Sequence, residues 1–160
     1  DLDSAQGLQS RIVNLSTRAF VESGEEGRVL PGLTVTGGAQ TLLVRAVGPG
    51  LGAFGVSGPL PDPRFRLIYP GLPAGIRWPA TPPSPGPWYD NWHVSLDYAH
   101  AFTPDDIRGA ATRLGAFPLT EGGRDAAGLI TLSSGSFSIE VGTAAGLSGV
   151  VLVEIYDTNF

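Results

Sequence analysis

The residues of this chain best suited to chemistry lie between positions 90 and 100. His93 and His100 are its two histidines, and Asp90, Asn91 and Asp97 lie between or beside them. Imidazole and carboxylate groups together suit a transition metal, whereas Asp and Asn oxygens suit calcium. The spacing matches no recognised metal loop, and Asp90 and Asn91 also fit a turn in which their side chains bind the backbone. We therefore predict no metal and no cofactor, and keep Asp90, Asn91 and Asp97 as the alternative metal ligands.

Residues 50–55 read Gly-Leu-Gly-Ala-Phe-Gly and match the glycine fingerprint of dinucleotide-binding proteins. That fingerprint binds pyrophosphate at the start of a helix within a βαβ unit. Here Pro49 precedes the glycines, Pro59, Pro61 and Pro63 follow them, and the pattern predicts no crossover helix. A glycine-rich corner between two strands is therefore the better interpretation.

The chain lacks several of the residues and motifs that enzymes use for covalent catalysis. The chain has no Cys and no Lys, and the Gly-x-Ser-x-Gly pattern of serine hydrolases does not occur in it. The acidic pair at positions 25 and 26 fits a turn, and the pair at 105 and 106 fits the start of a helix. A secreted enzyme would need a pocket that joins His93 or His100 to a carboxylate. We predict that the protein is not an enzyme.

All three tryptophans lie in a proline-rich stretch, residues 70–98. Exposed aromatic rings on a β-sandwich can stack on sugar rings, which makes Trp78, Trp88, Tyr89 and Trp92 candidate ligand-binding residues. Aromatic side chains also serve as anchors of protein interfaces. The same tryptophans therefore fit two other interpretations, in which they pack under their own loop or fill a pocket of a neighbouring subunit.

The elements that position these residues are predicted to be short strands. Twenty-three glycines and 14 prolines separate short apolar runs, a pattern typical of an antiparallel β-sandwich. We predict a single all-β domain over residues 1–160, jelly-roll-like, with one short helix and a long Pro/Trp-rich loop. The predicted strands are residues 11–21, 32–36, 41–47, 64–69, 127–132, 137–141 and 150–156.

The connections and faces of these strands carry further predictions. Gly37-Gly38 and residues 133–136 predict hairpin turns between consecutive strands. Alternation of apolar and polar residues predicts one buried face for residues 32–36 and 137–141. Residues 41–47 and 150–156 are apolar on both faces, which indicates central strands covered on each side or strands that meet another subunit.

One helix is predicted after residue 103. Thr103 can cap it, Pro104 suits the first helical position, and two aspartates place negative charge in the first turn. Apolar residues then recur at helical spacing, and Gly115 supplies a stop. We expect this helix to close one end or edge of the sandwich.

Composition bounds the possible partners. The net charge is −5, which argues against nucleic acid, and all ten basic residues are Arg. Charged residues make up only 16%, a level that favours association between molecules. No apolar run is long enough to span a bilayer, so we expect no membrane insertion. The start of the sequence, without Met, predicts removal of a signal peptide and an extracellular or cell-surface location.

Several segments resemble a family of uncharacterised, exported bacterial β-sandwich modules found in large surface proteins. The matching segments are residues 11–18 (Arg-Ile-Val-Asn-Leu-Ser-Thr-Arg), 43–51 (Leu-Val-Arg-Ala-Val-Gly-Pro-Gly-Leu), 54–58, 90–92, 114–117 and 151–156 (Val-Leu-Val-Glu-Ile-Tyr). The resemblance implies export and a sandwich fold, and it brings no activity and no catalytic residues. The Pro/Trp-rich stretch is longer here than in the family pattern.

These observations favour a structural subunit of an extracellular bacterial filament or surface assembly. We expect it to form a homopolymer, pilus-like, by head-to-tail β-strand addition, with residues 1–10 as the donor segment. The predicted interface residues are Leu2, Leu8, Ile12, Val13, Leu15, Trp78, Trp88 and Trp92. The alternative is a carbohydrate-binding or adhesion module that holds surface glycans with its loop tryptophans.

Overall fold

The computed structural model describes residues 13–24, 27–68, 87–94, 102–143 and 146–159, and the structural statements below concern these residues. They form seven strands, one α-helix and a 3₁₀ helix at Pro49–Phe54. The helix is α1 (Pro104–Arg113), and the strands are β1 (Asn14–Val21), β2 (Gly32–Val35), β3 (Gln40–Val47), β4 (Pro63–Ile68), β5 (Ala126–Leu132), β6 (Gly135–Thr143) and β7 (Gly149–Asp157). All seven predicted strands are confirmed, with small differences at their ends.

The strands form two antiparallel sheets that pack face to face. Sheet A has the order β1-β7-β3-β5, and sheet B has the order β2-β6-β4. Tyr89 adds a one-residue bridge to the outer edge of β4, opposite Phe65. If this bridge is counted as a short strand, the order of strands in the two sheets is that of a jelly roll. In that fold the first strand pairs with the last, the second pairs with the last but one, and so on inward. The predicted all-β, jelly-roll-like sandwich is confirmed.

The two predicted hairpins are wrong. The connection through Gly37 and Gly38 carries the chain from β2 in sheet B to β3 in sheet A, and the turn before β6 carries it from sheet A to sheet B. The two connections lie side by side, since the Gly38 N–H donates to Ser134 Oγ at 3.1 Å. Glycine permits the positive φ that both kinds of connection need, so these residues do not specify which sheet the next strand joins.

The space between the sheets is filled by apolar side chains that alternate along each strand. In β6, Phe137, Ile139 and Val141 are buried, as the alternation predicts. They meet inward-facing residues of sheet A to form the inner core, which also contains Val44 and Val153. Burial of this apolar surface is the main term that stabilises the sandwich.

Helix α1 covers the outer face of sheet A and forms a second, outer core. Ile107 and Ala110 of the helix pack with Leu43 of β3, Ala127 of β5 and Tyr156 of β7. The helix therefore lies on a face of the sandwich, which corrects the expectation that it closes an end or edge. It also explains why β3 and β7 are apolar on both faces, because each is a central strand with a core on either side.

The ends of α1 form as predicted. Thr103 Oγ1 accepts the Asp106 N–H at 3.2 Å, and Asp106 Oδ2 accepts the Thr103 N–H at 2.8 Å, which completes a capping box. The hydrogen bonds that the Thr103 hydroxyl and the Thr103 N–H donate to the Asp106 carboxylate lower the pKa of Asp106 below its ordinary value. Gly115, which follows the helix with φ of 69°, is the predicted stop.

Residues 87–94 close one side of the sandwich. Tyr89 exchanges two backbone hydrogen bonds with Phe65 of β4, at 3.0 and 2.6 Å. Three residues later, the Trp92 N–H donates to the carbonyl oxygen of Asp125, directly before β5, at 2.9 Å. The segment thus links the edge of sheet B to the start of an edge strand in sheet A. The opposite side of the sandwich holds β1 and β2.

Candidate functional site

The feature of the structure best suited to binding is the outer edge of β1. This strand pairs with β7 through eight consecutive residue pairs without a bulge. The Asp157 N–H donates to the Val13 carbonyl oxygen at 2.9 Å, so odd-numbered residues of β1 direct their backbone groups toward β7. The backbone groups of the even-numbered residues point the other way, where the described residues supply no strand, at Asn14, Ser16, Arg18 and Phe20.

Two large apolar side chains of β1 are exposed. Leu15, on the face toward sheet B, is 49% exposed, and Phe20, on the opposite face, is 59% exposed. Val13 is half-buried, and Val21 is buried in the inner core. Of the interface residues that the sequence predicts, Leu15 therefore lies on this edge strand, and Val13 lies directly before it. Leu2, Leu8, Ile12 and Trp78 lie outside the described residues.

A shallow apolar groove runs beside β1 on the outer face of sheet A. Its volume is about 430 Å³, and it is lined by Ser16, Thr17, Arg18, Leu51, Phe54, Val56, Phe117 and Leu152. Phe54 is 61% exposed and meets Phe117 edge-on, with ring centroids 4.8 Å apart. Helix α1 covers the outer faces of β3 and β5, so this groove is apolar surface of sheet A that the helix leaves open.

The described tryptophans differ in their accessibility. Trp92 is only 3% exposed, packs in the outer core, and donates from Nε1 to the Thr120 carbonyl oxygen at 3.1 Å. Its ring is therefore not available to a sugar or to a neighbouring subunit, which corrects its assignment to a binding surface. Trp88 is half-buried on the outer face of sheet B. Tyr89 stacks on Phe65 with ring centroids 4.8 Å apart and packs against the inner core.

The polar residues near position 90 do not form a metal site in the described part of the chain. Among the described residues, no group of three or more His, Cys, Asp or Glu side chains is placed to hold a metal ion. Burial, and secondarily the carboxylate of Asp62, raises the pKa of Asp90 above its ordinary value. Asn91 adopts φ of 45°, as expected for a turn. Asp97 and His100 lie outside the described residues.

The glycine-rich segment holds an anion from the chain itself. Asp125 Oδ1 accepts the backbone N–H of Gly48 at 2.8 Å and that of Gly50 at 3.1 Å. Backbone N–H groups at the start of a short helix commonly hold phosphate, and here the carboxylate of Asp125 takes that place. The segment forms a 3₁₀ helix between β3 and β4, which agrees with a corner between strands.

A buried ionic group in sheet A was not identified from the sequence. Arg45 Nε lies 3.2 Å from Glu154 Oε2, and Tyr156 donates to Glu154 Oε1 at 2.8 Å. Burial lowers the pKa of Arg45, although Glu154 opposes this shift. The Arg45 guanidinium also lies 4.4 Å from the Phe117 ring centroid, next to the groove. The sequence does carry a signal for this pair. Arg45 and Glu154 are single residues of opposite charge, each within an otherwise apolar strand, and buried charges of this kind need a partner.

Comparison of the chain with protein-family models, with curated proteins and with solved structures found no match. Within the described residues, no helix has the length and apolar character needed to cross a membrane.

Proposed function

We propose that this protein is a structural subunit of an extracellular bacterial filament or surface assembly. In this proposal, residues 1–10 of one copy add as a strand to the outer edge of β1 in the next copy. Backbone hydrogen bonds to the even-numbered residues of β1 supply affinity, and apolar side chains set the register. Each copy then offers one donor and one acceptor, and a head-to-tail contact of this kind extends without closing.

The observation that carries the proposal is that none of the described residues protects the edge of β1. Proteins usually protect a sheet edge with proline, with a bulge, with several charges or with a very short strand. β1 has eight residues, no proline, an uninterrupted register and a single charged residue, Arg18. It also exposes Leu15 and Phe20 on its two faces. Such an edge is a template for another strand.

Of the other sheet edges in the described part of the chain, those of β4 and β2 are better protected. The edge of β4 is paired with Tyr89, and residues 87–94 continue to the start of β5. β2 has only four residues and follows Pro31 directly. The contrast between these two edges and that of β1 supports the choice of β1 as the acceptor.

The groove beside β1 supplies a receptor for apolar side chains of the donor. Leu2 and Leu8 are separated by an even number of positions, so both lie on one face of an extended strand. The ten residues of the donor segment are sufficient to cover the eight residues of β1. One leucine seated between Phe54, Phe117 and Leu152 would bury apolar area that is exposed in the single subunit.

The sharpest test uses the alternation along β1. The Ser16 N–H points away from β7, so Ser16→Pro keeps every hydrogen bond to β7 and removes a donor from the free edge. We expect this variant to be folded, with a circular dichroism spectrum and melting temperature close to those of the wild type, and to form no filaments in negative-stain electron microscopy. Ser16→Thr, which keeps the N–H, is the matched control and should assemble normally.

Deletion of residues 1–10 tests the donor. The truncated protein should be folded and unable to polymerise alone, but it should still cap filaments of the full chain, because its β1 edge is intact. Monodisperse wild-type particles under all conditions would contradict the assembly proposal. Filaments of normal length from the truncated protein or from Ser16→Pro would contradict strand addition.

A further inference from the structure

The outer face of sheet B presents polar side chains. Thr34 of β2 and Ser136 of β6 lie side by side, with their hydroxyl oxygens 3.2 Å apart, and both residues are exposed. Arg64 and Arg66 project from β4 on the same face and are half-buried. Within the described residues, this face has no covering helix, in contrast to the outer face of sheet A.

Three arginines converge on one indole ring at this face. The guanidinium carbons of Arg28, Arg64 and Arg66 lie 5.8, 4.3 and 4.5 Å from the ring centroid of Trp88. We call these four residues the arginine–tryptophan cluster. A cation over an aromatic face is attracted by the ring, and a guanidinium that stacks in this way keeps the N–H donors of its edge for other acceptors.

The cluster has more positive than negative charge. Glu140, which is buried, accepts hydrogen bonds from Arg66 Nε at 2.8 Å and Nη2 at 3.1 Å, and it also pairs with Arg28. This one carboxylate pairs with two of the three guanidinium groups and leaves that of Arg64 without it. Asp90 also lies near Arg64, which partly opposes the upward shift that burial gives the pKa of Asp90. With Asp90 included, the three arginines still outnumber the two carboxylates. The cluster is therefore a positively charged patch on a protein whose net charge is −5.

Arg64 has donor capacity that the described residues do not use. Its Nε is buried and has no hydrogen-bond partner among them. Unlike Arg66, it takes no part in the hydrogen bonds to Glu140. The buried Nε is closed to solvent, so an incoming anionic oxygen would pair with the terminal nitrogens of this half-buried side chain.

We propose that this face binds an acidic polysaccharide, with Arg64 as the principal contact. Sulfate or carboxylate groups of the polymer pair with guanidinium edges of the cluster, a charge-assisted contact with defined geometry. The adjacent hydroxyl groups of Thr34 and Ser136 then form hydrogen bonds with hydroxyl groups of the neighbouring sugars. The face lies on the sheet opposite to β1, so strand addition at the β1 edge leaves it uncovered.

The test measures retention of the full-length protein in affinity electrophoresis. The probes are dextran sulfate, polygalacturonate, neutral dextran and inorganic polyphosphate. We expect retention by one or both acidic polysaccharides and none by neutral dextran. Arg64→Gln should weaken the apparent affinity about tenfold, the loss expected for one charge-assisted hydrogen bond. Arg113→Gln is the matched control, because it removes the same charge from an exposed site on α1.

Three results would overturn the proposal. They are the absence of retention by both acidic polysaccharides, an equal loss of affinity in Arg64→Gln and Arg113→Gln, and polyphosphate binding tighter than that of either polysaccharide. Repeating the measurement on Ser16→Pro separates this proposal from the assembly proposal. Retention by that variant supports glycan binding whether or not the wild-type protein forms filaments.

Discussion

Asp125, directly before β5, holds Gly48, directly after the neighbouring strand β3, with its Oδ1 accepting the Gly48 backbone N–H at 2.8 Å in a fully buried position. The same carboxylate accepts the N–H of Gly50. Gly48 has no room for a side chain, and Gly50 has little. A Cβ at Gly48 would lie 2.0 Å from the Leu60 carbonyl oxygen, and one at Gly50 would lie 3.0 Å from Asp125 Oδ2. The carboxylate therefore fixes the corner between β3 and β4.

Asp125→Ala should destabilise the protein by about 3 kcal/mol, because a buried N–H group and a half-buried one lose their acceptor. Urea unfolding followed by tryptophan fluorescence measures the loss. The slope of the free energy of unfolding against urea should not change, since the fold is retained. Asp105→Asn, at an exposed carboxylate, is the control and should change stability by less than about 0.5 kcal/mol. An unchanged midpoint in Asp125→Ala would contradict the role given to this residue.

Gly128→Ala should destabilise the protein by about 2 kcal/mol through overpacking. A Cβ at this position would lie 2.5 Å from Cδ1 of Tyr89, whose ring is stacked on Phe65. The double variant with Tyr89→Ala tests the cause. In the Tyr89→Ala background the same glycine substitution should cost about 1 kcal/mol less, because the ring that it meets is gone. Equal costs in the two backgrounds would mean that the clash lies elsewhere.

Stability should fall on the alkaline side as Tyr156 titrates. Burial, with the hydrogen bond to Glu154, raises the pKa of Tyr156 from 10.0 to about 12. Above pH 10.0 the folded state therefore keeps a proton that the unfolded state releases, and a rise in pH favours unfolding until the folded pKa is reached. Urea midpoints of the wild type should fall more steeply through this interval than those of Tyr156→Phe. Parallel curves for the two proteins would contradict the assignment.

Thr103→Ala should cost about 1 kcal/mol, the usual loss for an N-cap threonine. The capping box loses the hydroxyl that accepts the Asp106 N–H. Thr112 offers a matched control in the same helix, since it is exposed and bonds only back to the Arg108 carbonyl oxygen. Thr112→Ala should be neutral or slightly stabilising because alanine has the higher helix propensity. Similar losses at both positions, measured by thermal unfolding, would show that the cap contributes nothing specific.

The sequence predicts the elements of this fold better than their connections. Alternation such as that at Phe137, Ile139 and Val141 is a local property and places each strand and its buried face. The choice of sheet is not local. Gly37 and Gly38 satisfy a hairpin and a crossing between sheets equally well, and the choice is made by residues far along the chain that fill the core.

The same limit applies to the site. Leu15 is an ordinary apolar residue of an alternating strand, and its exposure follows from the position of β1 at an edge, which only the complete sheet order gives. Trp92 was grouped with the other tryptophans by its proline-rich surroundings, yet it packs in the outer core. Arg64 and Trp88 are distant in sequence and meet only because residues 87–94 return to β4.

The nested strand order has a consequence for the folding of the chain. Of the described strands, β1 is the first to leave the ribosome, and its partner β7 is the last. β3 also needs β7 on one side, so sheet A cannot close before β7 has been synthesised. Pairings between distant segments give a high contact order and slow folding. We expect the domain to stay unfolded until β7 emerges, so that the docking of β7 between β1 and β3 sets the rate at which the whole domain folds.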